Sequence, residues 1–291
     1  MTGAMDTPIG GDTRVAALWD GLSRVMDPEL DESIVDLGFV TDVSLDAAGR
    51  VDVGFRLPTY WCSPNFAFLM VDDIARELAR LPFVREVRPK LHDHMASDEV
   101  NRGAHLGLSF AETFEAFEVA GTLEDLRETF HRKAFQRRQE AVILGLRRAG
   151  WSDAAIVTAD LATLDRVVLE DGEATRQKPR YRELLLARGL ALMPGDRAFV
   201  TLEGAALTEA SLPAHMRALR AVRINMEANG AICRGLLDAR YGETAVAEPP
   251  EAHANAARAN ETHACGGGGK SCCGGCARQA SAPQPAAAPD L

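Results

Sequence analysis

Residues 40–80, "VTDVSLDAAGRVDVGFRLPTYWCSPNFAFLMVDDIARELAR", carry two periodicities in succession. "VTDVSLD" and "RVDVGFRL" alternate apolar with polar residues and are separated by "AAG", which predicts two strands joined as a hairpin. Beyond "PTYWCSPN" the spacing changes: Phe66, Leu69, Met70, Ile74 and Leu78 recur every three or four residues, predicting a helix through about Arg80 with Pro64 in its first turn. On the amino-terminal side, Val15, Leu18, Leu22 and Val25 mark a short amphipathic helix over 14–25, closed by "DPE". On the carboxy-terminal side, "FVREVRPKL" reads as a third strand. The order α-β-β-α-β describes a compact α/β module.

"MDPELDESIVDLGFVTDVSLD", the cysteine of "LPTYWCSP" at a helix start, and "LPFVREVRPKL" occur in that order. Together they resemble the metal–sulfur (iron–sulfur) cluster assembly domain of SufT-type and PaaD-type maturation factors, over residues 14–92 only. Asp27, Pro28 and Glu29 match the family's first motif; Asp36, Leu37 and Gly38 match its second; Cys62 matches its reactive cysteine. The resemblance implies a fold like the carboxy-terminal scaffold domain of NifU, and a pocket in which these motifs stand beside Cys62. The family's threonine, four residues before the cysteine, is replaced by Pro58, with Thr59 one residue later; Ser63 intervenes before Pro64.

From the residues alone, Cys62 at a helix start is a candidate ligand or sulfur acceptor, because the positive end of a helix stabilises an anionic sulfur. A buried core cysteine is the plainer alternative. Asp27 and Glu29 around Pro28 equally describe a turn.

The rest of the chain is read without a resemblance. "TLEDLRETFHRKAFQRRQEAVILGLRRAG" predicts a long helix, with Thr122 and Asp125 spaced as a capping box. Its basic run "HRKAFQRR" is read as a solvated face, given the acidic whole. Glu128 and His131 make half of a helical di-iron ligand set, with no second copy. Another helix ends near Arg188, "DRAFVTLEG" suggests a strand, and "LPAHMRALRAVRINMEANGAICRGLLDARYG" predicts a closing helix on which Cys233 is read as core. His92 and His94 would share a face if the third strand continued, as weaker metal candidates. The expected organisation is an α/β domain over 14–94, a mainly helical domain over 95–242 and a disordered Ala/Pro tail over 243–291.

That tail contains "ACGGGGKSCCGGCAR" (264–278), with four of the six cysteines. A phosphate-binding loop is excluded by spacing, since Ala264 stands where a glycine is needed and no strand or helix flanks the motif. Cys265, Cys272, Cys273 and Cys276, with His263 as an alternative fourth ligand, suit a soft ion such as zinc, Cu(I) or an iron–sulfur cluster, because glycine permits the tight turn.

A net charge of −10 over 291 residues argues against nucleic acid or an anionic membrane as the main partner. "MTGAMDTPIGGDTR" shows no signal-peptide pattern, so a cytoplasmic protein is expected, whose clustered thiols are ligands or reactive groups rather than disulfides. The expected function is that of a non-enzymatic maturation factor, a metallochaperone that transiently binds iron or an iron–sulfur cluster and delivers it to a client apoprotein. The PaaD-type likeness implies an oxygenase component as client and other cluster-assembly proteins as partners. The alternatives are a thiol–disulfide redox protein using Cys273 and Cys276, and a structural adaptor.

Overall fold

The computed structural model describes residues 9–114 and 122–242. It is mixed α/β at the amino-terminal end and mostly helical thereafter. Helix α1 (Ile9–Leu22) leads into two short strands, β1 (Met26–Asp27) and β2 (Glu32–Ser33), which pair antiparallel and close "DPELDE" into a tight turn. Strands β3 (Val40–Leu45) and β4 (Arg50–Arg56) form the expected hairpin. Its turn needs glycine at position 49: φ is +84° there, and a Cβ would stand 2.7 Å from the Phe83 carbonyl oxygen. Helix α2 (Pro64–Ala79) then carries the chain over to β5 (Glu86–His92), which lies parallel to β4, giving the order β3-β4-β5. A parallel neighbour requires such a crossover.

The first core gathers Leu18 and Leu22 of α1, Val51, Val53 and Phe55 of the central strand, and Ile74 and Leu78 of α2, all at most 1 % exposed. It continues past the sheet, because Val100 of α3 (Ser97–Leu106) and Phe110 of α4 (Phe110–Thr113) join it with Phe114. Phe68 meets the last two rings edge-on.

The second core belongs to α5 (Leu123–Arg148), α6 (Asp153–Thr158), α7 (Leu161–Arg166), α8 (Gly172–Ala187) and the first half of α9 (Leu212–Tyr241). Thr122 and Asp125 form the capping box that opens α5. A polar cross-link runs through this core: the Gln139 side-chain amide donates to the Tyr181 hydroxyl and the Val200 carbonyl, while Tyr181 donates to the Ala198 carbonyl. Residues 196–204 form no strand; they make only isolated bridges, Asp160 to Arg197 and Val200 to Ala206. Among the described residues no strand runs alongside, and side chains of α5 and α8 take the carbonyls a ladder would use.

The basic run of α5 is not a solvated face. Lys133 binds both Glu29 carboxylate oxygens at 2.9 Å, Arg137 donates to the Asp31 carbonyl at 2.8 Å, and Arg138 grips the Asp31 carboxylate through Nε (2.9 Å) and Nη2 (2.5 Å). The sign of the whole chain misleads here, because the partner is a local acidic turn. Asp31 is buried at φ +52°, and Arg138 is buried beside it. Removing one member of a buried pair leaves the other charge uncompensated. Asp31→Ala is expected to cost about 3–5 kcal/mol, read as a lowered urea midpoint, whereas exposed Asp52→Ala should change stability by no more than about 0.5 kcal/mol.

Candidate functional site

Cys62 lies in the loop between β4 and α2, two residues before the first helical residue Pro64. The loop is held at both ends. The Cys62 N–H reaches back to the Thr59 carbonyl, and the Thr59 hydroxyl stands 3.2 Å from the Cys62 sulfur. Thr59 thus sets its hydroxyl against the thiol. From the far side, the Met95 N–H donates to the Tyr60 carbonyl at 3.0 Å. Cys62 is half-buried, while Trp61 beside it is 73 % exposed.

His92 and His94 do not share a face. β5 ends at His92, and Asp93 adopts φ +52°, which turns the following residue inward. His94 is buried; its Nδ1 accepts from the Ala96 N–H at 3.1 Å, so its Nε2 carries the proton and donates to the Cys62 carbonyl at 2.7 Å. Burial holds the imidazole pKa below its usual value, opposed by the Cys62 carbonyl and aided by the Arg240 charge. A neutral His94 thus supports the Cys62 backbone.

The two acidic motifs occupy different surroundings. Asp27 is buried; its Oδ1 accepts from the Glu29 and Leu30 N–H groups, both at 2.9 Å, which fixes the turn around Pro28. Burial pushes the Asp27 carboxyl up to about 6, and the charges of Glu29 and Glu32 add to that against the two backbone donors. Glu29 points toward α5 and α9, pairing with Lys133 and accepting from Asn229 at 3.3 Å. In the second motif Leu37 is core, Gly38 supplies a φ of +70°, and Asp36 is exposed. That motif shapes the chain between β2 and β3.

Asp27, Pro28 and Asp31 also line a cavity of about 410 Å³ closed by His131, Arg138 and Arg180. Cys62 does not line it. Glu128 pairs with Arg188, and His131 lines that cavity.

Cys233, read as core from the sequence, does pack on a core. It is half-buried on α9 and packs, as Cys62 does, against the first core. Burial raises its thiol to about 11, with Asp27 and then Cys62 the next largest contributors. The only sequence signal was the face it shares with Met226, Gly230 and Leu237, which does not say what that face meets.

Among the described residues, no group of three or more His, Cys, Asp or Glu is placed to hold a metal ion. The tail candidates Cys265, Cys272, Cys273, Cys276 and His263 lie outside the described residues. No helix among the described residues is long and apolar enough to cross a membrane.

Residues 16–88 match the model of a family described as iron-sulfur cluster assembly protein. The "Fe-S protein maturation auxiliary factor YitW" of Bacillus subtilis (strain 168) is 35% identical over 89 residues, covering 30% of this chain and 85% of that protein. A solved domain of unknown function, DUF59, from Bacillus anthracis is 25% identical, with a TM-score of 0.25 over 33% of this chain and 89% of that one.

The raised carboxyl of Asp27 makes a pH test. Its folded pKa of about 6 exceeds the unfolded 3.8, so protonation favours folding. The contribution is fully present below the unfolded value and is lost as pH rises through the folded one. Relative to Asp27→Asn, which keeps the acceptor oxygen, the parent should lose on the order of 2–3 kcal/mol between those limits, measured by urea denaturation across the pH series.

Proposed function

The chain belongs to the iron–sulfur cluster assembly protein family, and on that premise we propose that it is a maturation factor that carries iron or an iron–sulfur cluster transiently at Cys62 and passes it to a client apoprotein. The observation that carries this reading is the setting of Cys62. The family's positioned cysteine sits in a surface loop with a hydroxyl against its sulfur, its backbone held by His94 and an exposed tryptophan beside it. A half-buried thiol in a braced loop meets its cargo without rearranging the module. The lack of a complete ligand set among the described residues suits a carrier, since a closed site would retain the cargo. The role needs ligand exchange and no stabilised transition state, so we read the protein as a non-enzyme.

The client is a metalloprotein, and an iron-dependent oxygenase component is our candidate. The tail thiols, Cys265, Cys272, Cys273 and Cys276, are proposed to collect or relay the cargo, with zinc as an alternative occupant. We place the protein in the cytoplasm, where thiols stay reduced.

Cys62→Ser tests the assignment. The exchange of sulfur for oxygen should cost on the order of 1 kcal/mol in stability, while a hydroxyl is a far poorer ligand for iron and cannot carry a persulfide. Co-expression with the client should then give a client depleted in iron and activity. Full maturation by a normally melting mutant returns Cys62 to the status of a packing cysteine. For the tail, replacing all four cysteines by serine should remove about one soft ion per chain and leave the circular dichroism of the core unchanged; equal metal content in mutant and parent would move that ion elsewhere.

A further inference from the structure

We propose that the cavity between the acidic turn and α8 is a binding site for a small organic monocarboxylate, whose carboxylate is taken by Arg180 and whose apolar body lies against Leu69, Phe130 and Leu184. The site is independent of the cargo reading of Cys62, which lines no part of it.

The cavity lies where the two cores meet. Its walls come from β1 and the turn after it, from α2, from α5 and from α8, so it exists because the helical part is seated on the α/β module. At about 410 Å³ it falls within the range of small-molecule pockets. Leu69 of α2, Phe130 of α5 and Leu184 of α8 are buried residues that line it, which gives three of its walls an apolar surface.

The ion pairs around this cavity leave one guanidinium over. Arg24 and Arg80 both reach Glu77, Arg127 bridges Asp72 and Asp73, and Arg138 holds Asp31. Among the described residues Arg180 has no carboxylate at ion-pairing distance. Its side chain donates from Nη1 to the Met26 sulfur at 3.6 Å, and a thioether is a weak acceptor. Asp31 and Asp36 act on it from farther off, and Asp31 is already held by Arg137 and Arg138. An arginine keeps its charge in a protein, so a half-buried guanidinium with this little compensation favours an anion beside it. Burial and then the neighbouring Arg138 charge push Arg180 down from its ordinary value, a direction that a bound anion reverses.

The same walls set the charge of the ligand. Asp27, Asp31, Asp73, Glu77 and the exposed Glu183 also line the cavity, so a dianion would meet several carboxylates for one unpaired cation. A carboxylate carries a single charge, and its two oxygens fit the guanidinium fork. The apolar walls favour a hydrocarbon body over a hydrated inorganic ion.

The test uses the full chain and 4-fluorobenzoate, read by broadening of its fluorine NMR resonance. The parent should broaden the line, and benzoate or hexanoate should displace the probe. Benzyl alcohol and benzylamine, similar in size but neutral and cationic, should displace it at least about tenfold less well, as should inorganic phosphate. Arg180→Gln should weaken binding at least about tenfold, and Arg180→Lys by less, because lysine keeps the charge and loses the fork. Arg182→Gln removes the same charge from the same helix away from the cavity and should leave binding unchanged. Melting temperatures of the variants are recorded alongside, and the competitor series needs only the parent, so it decides the matter even where Arg180→Gln does not fold. No broadening with probe at about 10 mM overturns the proposal. So does displacement by benzyl alcohol or phosphate as good as that by benzoate, or a folded Arg180→Gln chain that binds like the parent.

Discussion

The grip of Arg137 and Arg138 on Asp31 is the contact from which the rest of the arrangement follows. A buried carboxylate in a left-handed turn is costly alone, and two guanidinium groups from one helix compensate it. Arg138 also donates to the Arg180 carbonyl at 3.2 Å, so one side chain ties the acidic turn to α5 and α8 together. The guanidinium suits this because its planar fork can serve a carboxylate and a carbonyl at once.

With α5 anchored there, α9 has a defined path. It packs along α5, where Arg223 reaches the buried Glu140 at 2.8 Å, and then continues beyond the helical core onto the α/β module. A 30-residue helix is about 45 Å long by its rise, enough to bridge both cores without a joint. Its far end reaches the carboxy-terminal ends of β4 and β5, where Arg56 lies over the Tyr241 ring and Arg240 donates to the Asp93 carbonyl.

Cys62 itself is positioned by several modest interactions. A hydroxyl at its sulfur, a neutral imidazole at its carbonyl and the backbone tie between Tyr60 and Met95 each contribute about 1 kcal/mol. Together they hold a loop whose own side chains, Tyr60 and Trp61, remain largely outside the core. The loop is thus braced from beneath and open above, a combination suited to exchange of a bound group with another protein.

The sequence by itself determined the elements of the module and the placement of Cys62 at a helix start. Those rest on local signals: period-two alternation in β3 and β4, period-three-and-four spacing in α2, proline at its first turn and glycine at the hairpin. The capping box at Thr122 was legible for the same reason, since both partners lie within one helical turn. Only the tertiary structure decided what the faces meet. "HRKAFQRR" looked like a solvated surface because its partner lies about a hundred residues earlier, at Glu29 and Asp31. "DRAFVTLEG" had the composition of a strand but, among the described residues, no neighbouring strand to complete it. His94 left the face of His92 because a single residue, Asp93, took a left-handed turn. Cys233 packs on the first core because the helix carrying it crosses from one core to the other. Periodicity reports that a side chain is turned inward, and the long-range packing of charge and helix determines which residue stands opposite.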